Sequence, residues 1–93
     1  MTYRIRTTKQ FDKSAKMCQK RGLPMHKLTE AMRLLANDGT LPPTYRPHRL
    51  RGNLRNVWEC HLQPDWLLLW RQDDNELTLL FTNTGTHADI FDR

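Results

Sequence analysis

The sequence is short of several things that would each announce a class of protein. It has two cysteines, Cys18 and Cys60, in 93 residues. They fall in a helical stretch and an alternating strand without metal-ligand spacing, so they read as buried free thiols, with a bridge between them left open. No apolar run approaches the length that spans a bilayer. Arg4, Arg6, Lys9 and Lys13 leave no apolar segment for a signal peptide, so the expected location is the cytoplasm. Internal repeats and low-complexity segments are also lacking. The expectation is one domain over residues 1–93, able to bury roughly 60 to 65% of its unfolded surface.

Acidic residues are scarce in the first part of the chain. Residues 1–55 hold thirteen Lys or Arg against Asp12, Glu30 and Asp38, a net of +10, whereas residues 56–93 hold two against seven, a net of −5. Such a chain attracts a polyanion to one side, as suits nucleic acid or an acidic protein partner. Lys9, Lys13, Lys16 and Lys20 fit a solvated helix surface equally well. The run Arg46, His48, Arg49, Arg51, Arg55 is denser and falls outside any helical face.

In order, Tyr3-Arg4-Ile5-Arg6 alternates as a short strand, and Thr7 or Thr8 offers a helix N-cap. Phe11, Ala15 and Cys18 then form an apolar stripe that Gly22 terminates. Pro24 suits the first turn of a second helix, striped by Leu28, Met32 and Leu35 and ended by Asn37-Asp38-Gly39. The two helices read as an antiparallel hairpin. Pro42, Pro43 and Pro47 predict an extended crossing loop that delivers His48 and Arg49.

The rest reads as a β meander. Trp58, Cys60 and Leu62 alternate with Val57, Glu59 and His61. Trp66-Leu67-Leu68-Leu69-Trp70 is apolar throughout, as in a central strand covered on both faces. Leu77, Leu79 and Phe81 share one side of a last strand, which leaves the sheet through Gly85. The predicted class is α+β, with the N-terminal strand and two-helix hairpin packed on a twisted, mainly antiparallel β-sheet.

Pro64 cannot join a ladder, so His61-Leu62-Gln63-Pro64-Asp65-Trp66 is a turn that holds His61 and Asp65 at one end of the sheet. His48 precedes a strand and His87 follows the last one, so all four side chains can converge there. Cleaving RNA through its 2′-hydroxyl needs a base, an acid for the leaving 5′-oxygen and cations for the phosphorane. Imidazoles titrate near neutrality and serve either proton transfer. Arg49, Arg51 and Arg55 can hold phosphate bidentately, and Trp66 or Phe91 can stack on an exposed base. His26, on the second helix, has no such role. Two other readings stand beside this one. Three histidines and a carboxylate also make a zinc or iron set, although no pair has close ligand spacing and the arginines repel a dication. A non-catalytic RNA-binding or acidic-peptide-binding module would need the basic patch but not the histidines.

His48-Arg49-Leu50-Arg51-Gly52, His61-Leu62-Gln63-Pro64-Asp65-Trp66 and Thr84-Gly85-Thr86-His87-Ala88-Asp89-Ile90-Phe91 strongly resemble the YafQ branch of the RelE superfamily of bacterial toxins. The resemblance implies a RelE-like fold and a metal-free, ribosome-dependent endonuclease that cuts mRNA in the A site, with no cofactor. It implies an antitoxin partner of a type II pair, which the basic surface suggests carries an acidic segment, together with ribosome and mRNA as targets. The family's catalytic positions fall on His48, His61, Asp65 and His87, and its aromatic positions on Trp66 and Phe91. His87 is then the general acid, and His48, His61 and Asp65 share activation of the 2′-hydroxyl. Where the family usually carries an arginine, this chain has Asn83, which donates hydrogen bonds but brings no charge. Either Arg49, Arg51 or Arg71 supplies the cation, or the chain is an attenuated toxin.

Overall fold

Local chemistry sets the element boundaries. The computed structural model describes residues 2–52 and 56–91. Strand β1 (Arg4–Thr7) leads into helix α1 (Lys9–Lys20), and between them the Thr8 hydroxyl accepts a hydrogen bond from the Phe11 N–H at 3.0 Å. That bond satisfies one of the donors every helix start leaves free. Gly22 carries the chain past the end of α1 at φ +84°, and its N–H donates to the Gln19 carbonyl. Helix α2 (Met25–Asp38) follows, with Pro24 at its N-cap rather than inside its first turn and Gly39 closing it in the left-handed region.

A single 3₁₀ turn, Pro43–Tyr45, precedes β2 (His48–Arg49), β3 (Trp58–Gln63), β4 (Trp66–Asp73), β5 (Thr78–Gly85) and a short helix α3 (His87–Phe91). The five strands form one sheet in the order β1-β5-β4-β3-β2, with β1 parallel to β5 and every other pair antiparallel. The predicted α+β class and mainly antiparallel sheet are therefore present. One local detail of the sheet differs from expectation. His48 and Arg49 pair with Glu59 and Trp58 as an edge strand instead of lying in a loop. A pair of residues is too short for period-2 alternation to register in the sequence. Position 55 lies outside the described residues.

The all-apolar β4 is central, and Trp66 through Trp70 are buried along its length. On one face, Phe11, Cys18, Leu28 and Leu35 of the helices pack on Cys60, Trp66, Leu68, Trp70 and Phe81. On the other, Val57, Leu67 and Leu69 form a smaller cluster joined by Leu50 and Ile90. Each fully buried leucine contributes about 1.5 to 3 kcal/mol. His61 pairs with Leu67 and so shares the second face. Both cysteines are buried and free, and burial pushes the Cys60 thiol up to about 12, so it stays protonated and unreactive. Among the described residues no helix is long and apolar enough to cross a membrane.

Candidate active site

The site gathers where the β3–β4 turn meets the end of β5. Register shifts fall between His61 and Gln63 on β3 and between Leu69 and Trp70 on β4. Such bulges re-aim side chains and are common beside active sites.

His87 opens α3 and is fixed by Asp65. The His87 backbone N–H and ring Nδ1 both meet Asp65 Oδ1, at 3.0 and 2.6 Å. An ionised carboxylate only accepts, so Nδ1 carries a hydrogen, and in the imidazolium form Nε2 carries a second. The same two bonds, the backbone one first, hold the Asp65 carboxyl below its usual range. α3 is itself tied down from its other side. Thr86 and Asp89 exchange bonds, Thr86 N–H to Asp89 Oδ2 at 2.9 Å and Asp89 N–H to Thr86 Oγ1 at 3.1 Å. Arg21, at the C-cap of α1, grips the same carboxylate at 2.5 and 3.2 Å. With Arg21 the larger influence and the Thr86 N–H next, Asp89 is pushed down to about 2. Gly85 makes room for this clamp, since a Cβ there would lie 2.9 Å from the Asp89 side chain.

His61 sits half-buried with its ring centroid 5.8 Å from that of His87. Its Nδ1 is buried with no hydrogen-bond partner among the described residues. Burial, then the charge of Arg46, pushes the His61 imidazolium down; His87 and His48 act the same way and Glu59 opposes them. A neutral imidazole is the form that accepts a proton. Beside it a cavity of about 300 Å³ is lined by Lys27, Thr44, Tyr45, His61 and Leu62.

His48 is held at both nitrogens. Nδ1 lies 3.0 Å from the Arg46 carbonyl, and Nε2 lies 3.0 Å from Glu59 Oε1. A carbonyl cannot donate, so Nδ1 carries a hydrogen in the bond to Arg46. Glu59, 5% exposed, is the carboxylate of the candidate site that the sequence did not single out. The available signal was the alternation that set Glu59 beside His61 on one face. Arg46 was likewise counted in the basic run and given no role.

The four catalytic candidates are thus brought together, but the binding candidates divide. Trp66 is 1% exposed and its indole N–H donates to Thr84 Oγ1 at 2.9 Å, so it has no free face for a base. This corrects the stacking expectation: β4 is central, and its first position points into the helix-covered core. Phe91 is exposed, with its ring 6.4 Å from His87. Asn83 Oδ1 accepts from Ser14 of α1 at 2.7 Å and from the Thr84 N–H at 2.9 Å, fastening that side chain to the scaffold. Arg49 lies over Trp58 at 5.3 Å, and both line, with Arg71, a separate cavity of about 350 Å³ farther along the strands. Arg51 is exposed, and Arg55 lies outside the described residues. Among the described residues no three His, Cys, Asp or Glu side chains converge to hold one ion.

A helical hairpin covering one face of a twisted five-stranded sheet, with histidines and carboxylates paired at the open end, defines a RelE-like toxin fold. The profile of the family described as "Bacterial toxin of type II toxin-antitoxin system, YafQ" matches residues 3–92. The mRNA interferase toxin YafQ of Escherichia coli K12 is 40% identical over 83 residues, 88% of each chain. The crystal structure of YafQ from E. coli BL21(DE3) superposes with a TM-score of 0.88 at 37% identity, covering 96% of this chain and 98% of that one. A chain of the E. coli DinJ-YafQ toxin-antitoxin complex gives 0.88 at 37% identity, covering 98% and 99%. The chain belongs to the YafQ family of bacterial toxins of type II toxin-antitoxin systems.

Proposed function

We infer that this chain is an mRNA interferase that enters the ribosomal A site and cleaves the codon there by attack of a ribose 2′-hydroxyl. The observation that carries the reading is the His87–Asp65 pair, 2.6 Å long, beside the neutral-leaning His61. His61 Nε2 removes the 2′-hydroxyl proton. The 2′-oxygen attacks phosphorus, the bond to the 5′-oxygen breaks, and His87 Nε2–H protonates that leaving oxygen. The products are a 2′,3′-cyclic phosphate and a 5′-hydroxyl. Asp65 belongs with the acid, since its hydrogen bonds orient His87. His48 sits at the rim between the Glu59 carboxylate and the Arg46 carbonyl, each 3.0 Å from one of its ring nitrogens. Phe91 offers the face on which a base can stack. The reaction so written uses no metal ion.

The basic first half of the chain draws it to ribosomal RNA in the cytoplasm, and an antitoxin with an acidic segment neutralises that surface. A second reading, an attenuated toxin, is favoured by the absence of charge at Asn83. Primer extension on translating ribosomes tests both. A-site cleavage by the chain, none by His87→Ala and none on naked mRNA is expected. Ribosome binding without cleavage would overturn the interferase reading in favour of the attenuated one.

A further inference from the structure

Asn83 leaves the cleavage reaction one cation short, and most nearby arginines are engaged elsewhere. Arg21 is paired with Asp89, Arg49 lies over Trp58, and Arg71 lines the far cavity. Arg46 differs from all three. It follows the 3₁₀ turn in a left-handed conformation, φ +52° and ψ +52°, that a non-glycine residue adopts only where its surroundings impose it. Its backbone is held at both ends: the N–H donates to the Pro43 carbonyl at 2.9 Å, and the carbonyl receives His48 Nδ1 at 3.0 Å. Through that carbonyl Arg46 is joined to His48, which pairs with Glu59 on β3, two residues before His61. The Arg46 side chain is exposed and takes part in none of the ion pairs among the described residues.

We propose that Arg46 is a further catalytic residue, whose guanidinium holds the scissile phosphate of RNA beside His61 and supplies the positive charge that position 83 lacks. The proposal rests on the interferase reading above. A guanidinium presents its donors as a fork that matches two non-bridging phosphate oxygens, and it keeps its charge at every working pH. Placed against His61, it stabilises the phosphorane where the 2′-oxygen attacks. The cavity lined by Lys27, Thr44, Tyr45, His61 and Leu62 borders His61 and begins at Tyr45, the residue before Arg46, leaving room for the nucleotide. Of the charged and titratable groups around His61, namely Arg46, His48, Glu59, His87 and Lys27, Arg46 exerts the largest charge effect on the ring, consistent with its position.

Two readouts on Arg46→Ala, Arg46→Lys and Arg46→Gly test this. Glycine suits the left-handed backbone, so Arg46→Gly removes the side chain without straining the turn. On programmed ribosomes, loss of the guanidinium should lower the cleavage rate about a hundredfold to a thousandfold, with ribosome binding retained. Arg46→Lys should keep part of the rate, and adding Asn83→Arg to Arg46→Gly should restore it. Cleavage by Arg46→Gly at the parent rate would overturn the proposal. The second readout needs no turnover. In NMR titrations the His61 ring midpoint should rise in Arg46→Gly, and inorganic phosphate should shift the His61 resonances of the parent but not of the variant. Equal phosphate responses in both would overturn the proposal even if the parent chain cut no mRNA, an outcome that would separately sink the interferase reading.

Discussion

The two faces of the sheet handle polar groups in opposite ways. On the helix-covered face the few polar atoms are closed into local chains: Trp66 N–H donates to Thr84 Oγ1, which donates to the Leu67 carbonyl at 2.7 Å. Nothing there is left to react. On the open face a small apolar cluster of Val57, Leu67 and Leu69 underlies titratable side chains arranged in pairs, with His61 Nδ1 left unpartnered. Partial burial is what moves His61 toward its neutral form, and full burial would have removed it from substrate. The contrast teaches that this chain keeps its larger core on one side of β4 and its candidate acid-base groups on the other.

Four experiments break or sharpen that contrast. His87→Ala strikes the open face alone. It should reduce cleavage on ribosomes about a hundredfold to ten-thousandfold while leaving stability within about 0.5 kcal/mol, as paired cleavage and melting measurements would show. Trp66→Ala strikes the covered face and should cost about 3 to 5 kcal/mol in urea unfolding, losing activity only through unfolding. A variant that melted normally yet failed to cleave would put Trp66 at the chemistry after all.

The pH dependence of single-turnover cleavage sharpens the open face. A base must be neutral, and the His61 imidazolium is pushed down, so its acidic limb should fall below the ordinary imidazole value of about 6.5. A limb above that value would remove His61 as the base. The smallest effect belongs to the clamp between the faces. Asp89→Asn should cost roughly 1 kcal/mol, or about 4 to 8 °C in melting temperature, through the lost cap and ion pair. Its carboxyl is depressed to about 2 in the folded chain, so the stability it adds is present above its ordinary value near 4 and is lost as pH falls toward 2. The parent and Asp89→Asn melting curves should therefore converge at low pH.

Much of this was legible beforehand because it is local. The apolar stripe of Phe11, Ala15 and Cys18, the cap at Thr8, the glycines after both helices and the fully apolar β4 each depend on residues within one or two turns. Motifs at His48, His61–Trp66 and Thr84–Phe91 carried the family. Burial direction at a strand end was not legible. Trp66 matched an aromatic family position, yet the bulge and the central place of β4 turn it inward.

The sequence by itself determined the elements, their order and the residue types available for acid-base chemistry, because periodicity and turn chemistry act over short stretches of chain. Tertiary structure alone decided which groups meet: Asp65 with His87 across 22 positions, Glu59 with His48, and His61 beside His87. Those meetings depend on strand register. A one-residue slip would carry every side chain to the other face, and only the packed sheet with its bulges fixes that choice.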